Sequence, residues 1–313
     1  MTICIIHTGG TIAMQAGRDG LEPAQGVLEA ALAGLAQDNS ARAGTPRGQT
    51  ELLQLDPLID SANARFADWN RIAAVIAAGQ GRYAGFVVTH GTDTLAYTAA
   101  ALSFALIGLT RPVVVTGSML PFGVDGSDAQ RNLGDALLAA GAAPAGVWVQ
   151  FAGQLMAGAR VRKAHSHGLD AFTARDGGPS LREGAPAFLP YGAPELAVLS
   201  MAPNTSPRAL AAALTACDGA VLRVFGAGTI PNDPEIEAAL TSATARGTLM
   251  VAISQCNAGG IALGTYAAGA GLARAGVVDG RQMTEAAAYA KLAHALAHGG
   301  RDTLAADLCG EGC

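Results

Sequence analysis

Residues 86–115, FVVTHGTDTLAYTAAALSFALIGLTRPVVV, decide the fold. Phe86-Val87-Val88 is a short apolar run, the length of a buried strand. Residues 94–107 are rich in Ala and Leu and long enough for a helix, and Val113-Val114-Val115 is a second apolar run. Strand, helix, strand at this spacing predicts a parallel sheet with helices packed on its faces. The same rhythm extends outward. Residues 3–6 read as a strand, 26–36 as a helix, 128–140 as a helix and 147–151 as a strand. From residue 176 to 194 the chain turns rich in Gly and Pro, which predicts a linker. Beyond it come a strand at 197–200, a helix at 207–214, a strand at 220–224, a helix at 235–245, a strand at 248–253 and a helix at 284–297. The expected fold is α/β. A larger N-terminal domain over 1–175 has a mostly parallel sheet flanked by helices, and a smaller C-terminal α/β domain covers 195–313. No fixed-period repeat is visible.

Composition narrows the function classes. At 313 residues, about two domains are expected. Half of the residues are hydrophobic and 14% charged, ample for a packed core. The net charge is −5 and no basic block occurs, which argues against nucleic-acid or anionic-membrane partners. The five cysteines, Cys4, Cys217, Cys256, Cys309 and Cys313, include no CxxC pair. Reduced thiols in a cytoplasmic protein are the simpler reading than a disulfide framework or structural zinc. The uncharged stretch 94–110 is short, and 247–273 is broken by Gly259-Gly260, so both read as buried α/β material rather than membrane spans. The first residues lack the positive region of a signal peptide.

Open parallel sheets form sites at the carboxyl ends of their strands. Four segments there are rich in hydroxyl and acidic groups. His7-Thr8-Gly9-Gly10-Thr11 is a glycine turn that can bring backbone close to a ligand and present Thr11, although two capping threonines would look the same. Thr89-His90-Gly91-Thr92-Asp93-Thr94 precedes a helix, so an ordinary N-cap competes with a hydroxyl–carboxylate pair. Asp60-Ser61-Ala62-Asn63 alone is turn chemistry. The run 160–167 carries Lys163 between arginines and histidines; a solvated face competes with a lysine that helps a threonine lose its proton. His165 and His167 imply weak metal affinity at most. His294 and His298, at i and i+4, lack the glutamate of a zinc-protease helix and read as a solvated face. No phosphate loop, dinucleotide loop or serine elbow occurs.

Taken together, the four segments resemble the bacterial-type L-asparaginases, the short cytosolic (type I) group. Further agreement lies in Val115-Thr116-Gly117-Ser118-Met119, Ser127-Asp128, Asn132-Leu133, Lys163-Ala164-His165, Ser254-Gln255-Cys256 and Gly264-Thr265-Tyr266. The resemblance runs in order along the whole chain. It implies hydrolysis of L-asparagine to L-aspartate and ammonia, with Thr11 as nucleophile. It implies that Thr92, Asp93 and Lys163 form a second catalytic group, and that Asp60, Ser61 and the Ala62 backbone, with Thr92 and Asp93, bind the substrate's α-amino and α-carboxylate ends. It also implies no metal or organic cofactor, and homodimers pairing into tetramers with sites at subunit interfaces. Two departures stand out. The lid segment, which in relatives carries a tyrosine, reads Gly20-Leu21-Glu22-Pro23, and the segment a neighbouring subunit contributes reads Gly226-Ala227-Gly228-Thr229 without its asparagine. Residues 14–25 are expected to form a mobile lid over Thr11. The rival readings are a mixed glutaminase-asparaginase, a catalytically weak amino-acid sensor, and the amidase subunit of a tRNA-dependent amidotransferase. A sensor has no need of both threonines and the lysine. The amidotransferase subunit carries an extra N-terminal domain, whereas Thr11 lies ten residues from the start.

Overall fold

A computed structural model describes residues 2–17, 20–24, 26–38, 49–264 and 269–312. Thr265 and Tyr266 of the family-like C-terminal segment, with Arg18, Asp19, Gln25 and the Leu21 side chain of the expected lid, lie outside the described part. The chain forms two compact units, 1–188 and 189–313.

In the first unit the elements run β1 (Ile3–His7), β2 (Met14–Gly17), β3 (Gly20–Pro23), α1 (Val27–Asp38), β4 (Thr50–Gln54), α2 (Phe66–Gly79), β5 (Gly85–Thr89), α3 (Leu95–Ala105) and β6 (Leu106–Ile107). They continue with β7 (Pro112–Thr116), α4 (Ala129–Ala142), β8 (Gly146–Phe151), β9 (Gln154–Ala157), β10 (Val161–Lys163), β11 (Phe172–Ala174) and β12 (Ala187–Phe188). The main sheet has the order β4-β1-β5-β7-β8-β9. It is parallel except for β9, which pairs antiparallel with β8. β1, β5 and β7 are buried along their whole length, which is why they read as unbroken apolar runs. Ile3, Ile5, Val87 and Val114 on one face meet Leu28 of α1 and Leu133 and Ala136 of α4. At about 25 cal/mol per Å² of apolar surface, such full burial is worth roughly 1.5–3 kcal/mol for each large side chain.

The structure differs from the sequence expectation at several edges. β4 and α2 were not anticipated. The expected helix through 107 ends at Ala105, and Leu106–Ile107 instead pair antiparallel with Ala187–Phe188, so that part of the expected linker is a strand of the first unit. Segments 14–17 and 20–23, within the expected lid, pair as an antiparallel hairpin.

The second unit contains β13 (Leu196–Ser200), α5 (Pro207–Thr215), β14 (Gly219–Val224), α6 (Pro234–Ala245), β15 (Leu249–Ser254), α7 (Ala270–Arg274), β16 (Val278–Asp279), α8 (Glu285–Ala297) and α9 (Gly300–Ala305). Its four strands form one parallel sheet in chain order. Leu210, Leu214, Leu222, Ile236, Leu240 and Met250 make its core. Here one expectation is overturned. His294 is fully buried rather than on a solvated face, with its ring 5.8 Å from Tyr191 and 4.8 Å from His298. The His298 ring lies 2.7 Å from the Pro190 carbonyl oxygen. The cause is an alanine-rich α8 buried on most sides, so that i, i+4 spacing does not mark an exposed face. Among the described residues, no helix is long and apolar enough to cross a membrane.

Candidate active site

β1 and β5 are neighbours, so the loops at their carboxyl ends must meet. Thr8 fixes the first loop: its hydroxyl donates to the Thr89 carbonyl oxygen at 2.7 Å. Gly9 and Gly10 follow with φ of 120° and 91°, conformations that L side chains rarely adopt. At Gly10 the space is closed as well, because a Cβ would lie 2.4 Å from the Gly91 nitrogen. Thr11 then opens a short 3-10 turn and remains partly exposed. Gly91 is squeezed in turn, since a Cβ there would meet the Ser61 Oγ at 2.4 Å. Gly10, Gly91 and Ser61 therefore bring three loops together, and Thr11 and Thr92 are the next residues along two of them.

The third loop is held at both ends. The Asp60 carboxylate accepts from the Ala62 amide at 3.2 Å and from Asn63 Nδ2 at 2.7 Å. Thr94, at the start of α3, does not cap its own helix; its hydroxyl donates to the Ser61 carbonyl oxygen at 2.7 Å. Asp60 and Ala62 are exposed and Ser61 is buried.

Lys163 ends β10 and reaches the same loops from 70 residues further along. Its Nζ donates to Thr92 Oγ1 at 2.9 Å and to Asp93 Oδ1 at 2.8 Å. Thr92 is buried, whereas the Asp93 side chain is 65% exposed. An ammonium against a buried hydroxyl favours its oxyanion form, and an exposed carboxylate beside it keeps one oxygen for a ligand.

The resemblance marked Asp128 and Asn132 without giving them a role; the structure makes them the scaffold behind these groups. Asp128 accepts from the Met119 and Leu120 amides, each at 3.0 Å, and from Asn132 Nδ2 at 2.9 Å. Asn132 also donates to the Gly117 carbonyl oxygen at 3.0 Å. These bonds shape the loop after β7, where the Ser118 hydroxyl is fully buried with no hydrogen-bond partner among the described residues. Burial lowers the pKa of both His7 and His90, so both rings are neutral at neutral pH. His165 binds its own turn, accepting from the Gly168 amide at 2.7 Å. No cluster of three or more potential metal ligands occurs among the described residues.

Two α/β units in tandem, the first gathering hydroxyl, carboxylate and ammonium groups at the carboxyl edge of a parallel sheet, define the class of protein. Residues 2–184 match the model of the asparaginase N-terminal domain, and residues 195–306 that of the glutaminase/asparaginase C-terminal domain. The chain belongs to the asparaginase/glutaminase family. It is 36% identical to L-asparaginase 1 of Escherichia coli K12, over 94% of this chain and 91% of that protein. The solved structure of the thermostable L-asparaginase from Thermococcus kodakarensis superposes with a TM-score of 0.88 at 33% identity, covering 99% of each chain. A probable cytoplasmic L-asparaginase from Campylobacter jejuni superposes with a TM-score of 0.76 at 25% identity over 95% of each chain.

Proposed function

We propose that the chain is an L-asparaginase, an amidohydrolase that converts L-asparagine to L-aspartate and ammonia through a threonine nucleophile. The observation that carries this reading is Lys163 bonded to both Thr92 and Asp93, beside the glycine turn that presents Thr11. In the first step Thr11 Oγ bonds to the side-chain amide carbon, and its proton passes toward the Thr92–Lys163 group. Backbone N–H groups at the glycine turn stabilise the oxyanion. The carbon–nitrogen bond then breaks, the nitrogen takes the proton, and ammonia leaves an aspartyl ester on Thr11. In the second step the same group takes a proton from water, whose oxygen attacks the ester carbon. The proton returns to Thr11 as aspartate departs. Asp60, Ser61 and Asp93 hold the α-amino and α-carboxylate ends, with the Ala62 backbone nearby.

The chain works as a homodimer or homotetramer in the cytoplasm. Support for the compartment is the likeness to the probable cytoplasmic L-asparaginase from Campylobacter jejuni. Light scattering on the purified protein tests the assembly. Thr229 stands where the family has an asparagine, and the longer substrate depends more on edge contacts. Loss of about 1 kcal/mol or more of orientation energy should leave glutamine the poorer substrate. Ammonia release from asparagine and glutamine measured side by side tests the whole reading; equal kcat/KM for the two amides contradicts the asparagine preference.

A further inference from the structure

Beneath the Thr92 loop lies a buried polar chain that the proposed mechanism does not use. Trp69 Nε1–H of α2 donates to Thr98 Oγ1 of α3 at 3.0 Å. Thr98 Oγ1 lies 3.0 Å from His90 Nε2, and His90 Nδ1 lies 2.8 Å from the Gly91 carbonyl oxygen. Trp69, Thr98 and His90 are all buried. The direction of each bond follows from the partners. A carbonyl oxygen can only accept, so Nδ1 carries the proton. A neutral ring then leaves Nε2 as an acceptor, and the Thr98 hydroxyl donates to it while receiving the indole N–H.

The chain ends on the peptide that leads into Thr92. Holding the Gly91 carbonyl inward turns the other edge of Gly91 against Gly10 and Ser61, where there is no room for a Cβ. The next residue is Thr92. We infer that His90 is a positioning residue: through the Gly91 carbonyl it sets where Thr92 meets Lys163, and Thr98 and Trp69 fix the ring that does so. A hydrophobic residue of similar size would fill the space but take the Nδ1–H bond away from the Gly91 carbonyl in a buried turn. The inference rests on the proposed function for its kinetic consequence, and on geometry alone for its structural one.

The test compares His90→Leu, His90→Asn and Thr98→Val. Asparagine places a side-chain N–H close to the Nδ1 position; leucine does not. His90→Leu should lower kcat about 100-fold with KM changed less than about threefold, the scale expected when a catalytic group is displaced by a fraction of an ångström to 1 Å. His90→Asn should recover about tenfold of that loss, and Thr98→Val, which keeps volume and loosens only the far link, should cost about fivefold. In a Thr92→Ala background His90→Leu should cost nothing more, because residues acting as a unit are not additive. Amide hydrogen exchange at residues 91–93 should quicken in His90→Leu and stay near wild type in His90→Asn. Equal kcat loss in the Leu and Asn variants, or faster exchange spread over the whole unit, overturns the inference in favour of bulk packing. A wild type that releases no ammonia from asparagine refutes the proposed function instead, and the exchange comparison still decides the role of His90.

Discussion

The two units share a parallel βα rhythm yet use their strand ends differently. In the second unit the polar residues after the strands bind the scaffold. Gln255 Nε2 donates to the Met201 and Arg223 carbonyl oxygens at 2.7 and 2.8 Å, and Ser254 Oγ donates to the Gly226 carbonyl oxygen at 2.7 Å. Its buried charge pair is structural too. Lys291 and Glu311 are 2% and 0% exposed and bonded to each other, and Glu311 accepts from the Leu308 and Cys309 amides at 3.1 and 2.8 Å. In the first unit, scaffold duty falls to residues one step behind the site, such as Thr8, Thr94 and Asp128. Thr11 stays partly exposed, and among the described residues the Lys163 ammonium bonds to Thr92 and Asp93 of the candidate site. The lesson is that polar content at strand ends does not mark chemistry by itself; neighbours that take over the scaffold bonds and leave those groups free to act do.

Four results would break or sharpen this contrast. Thr11→Ala should lower kcat by about 10⁴-fold or more while circular dichroism and Tm stay near wild type. Near-normal ammonia release would remove the nucleophile. Lys163→Met keeps the stem and removes the charge, and should lower kcat by about 10²–10³-fold with KM little changed. A rise in KM alone would make Lys163 a binding residue. In the second unit Glu311→Gln leaves Lys291 buried without its counter-charge and should cost about 3–5 kcal/mol of stability in denaturant melts. Its kcat at an assay temperature where the variant is folded should not change; a kcat loss there would mean the second unit's pair is not merely structural. The smallest effect is on pH. His7 and His90 have pKa values pushed below the ordinary 6.5 by burial, so the unfolded chain binds more protons than the folded one below that point. Their contribution is fully present above about 6.5 and is lost as pH falls through the folded values. Tm should drop between pH 7 and 5, and drop less in His90→Asn; an unchanged slope would show that His90 does not carry it.

Much of this was legible in the sequence. Buried parallel strands announce themselves as apolar runs, and the helix between 94 and 107 was found to within two residues at its end. The edge strand β4, Thr-Glu-Leu-Leu-Gln, was not, because an edge strand half open to solvent has no continuous apolar signal. The glycine turns and the hydroxyl-rich loops stood out as residues. That Gly10, Gly91 and Ser61 touch did not, since their contact depends on the strand order β4-β1-β5, which no local pattern encodes. Lys163 lay inside what looked like a solvated charge run; it follows Arg162 directly in β10, and successive side chains of a strand point to opposite faces. His90 stood inside the Thr89–Thr94 segment without a role of its own, and its link to Thr98 and Trp69 gave no signal, because a buried polar chain is recognisable only once all its members are placed.

The central claim is that Thr11 carries the acyl group and the Thr92–Lys163 group releases it by activating water. The most direct measurement is acid quench of the Lys163→Met variant during turnover of L-asparagine, followed by peptide mass mapping. The account predicts a peptide containing Thr11 that is heavier by one aspartyl group and no such adduct on the peptide containing Thr92; because the Thr92–Lys163 group serves both steps, the abundance relative to wild type reports which step Lys163 limits. Sustained ammonia release with no such adduct, or an adduct on the peptide containing Thr92 instead, would contradict it.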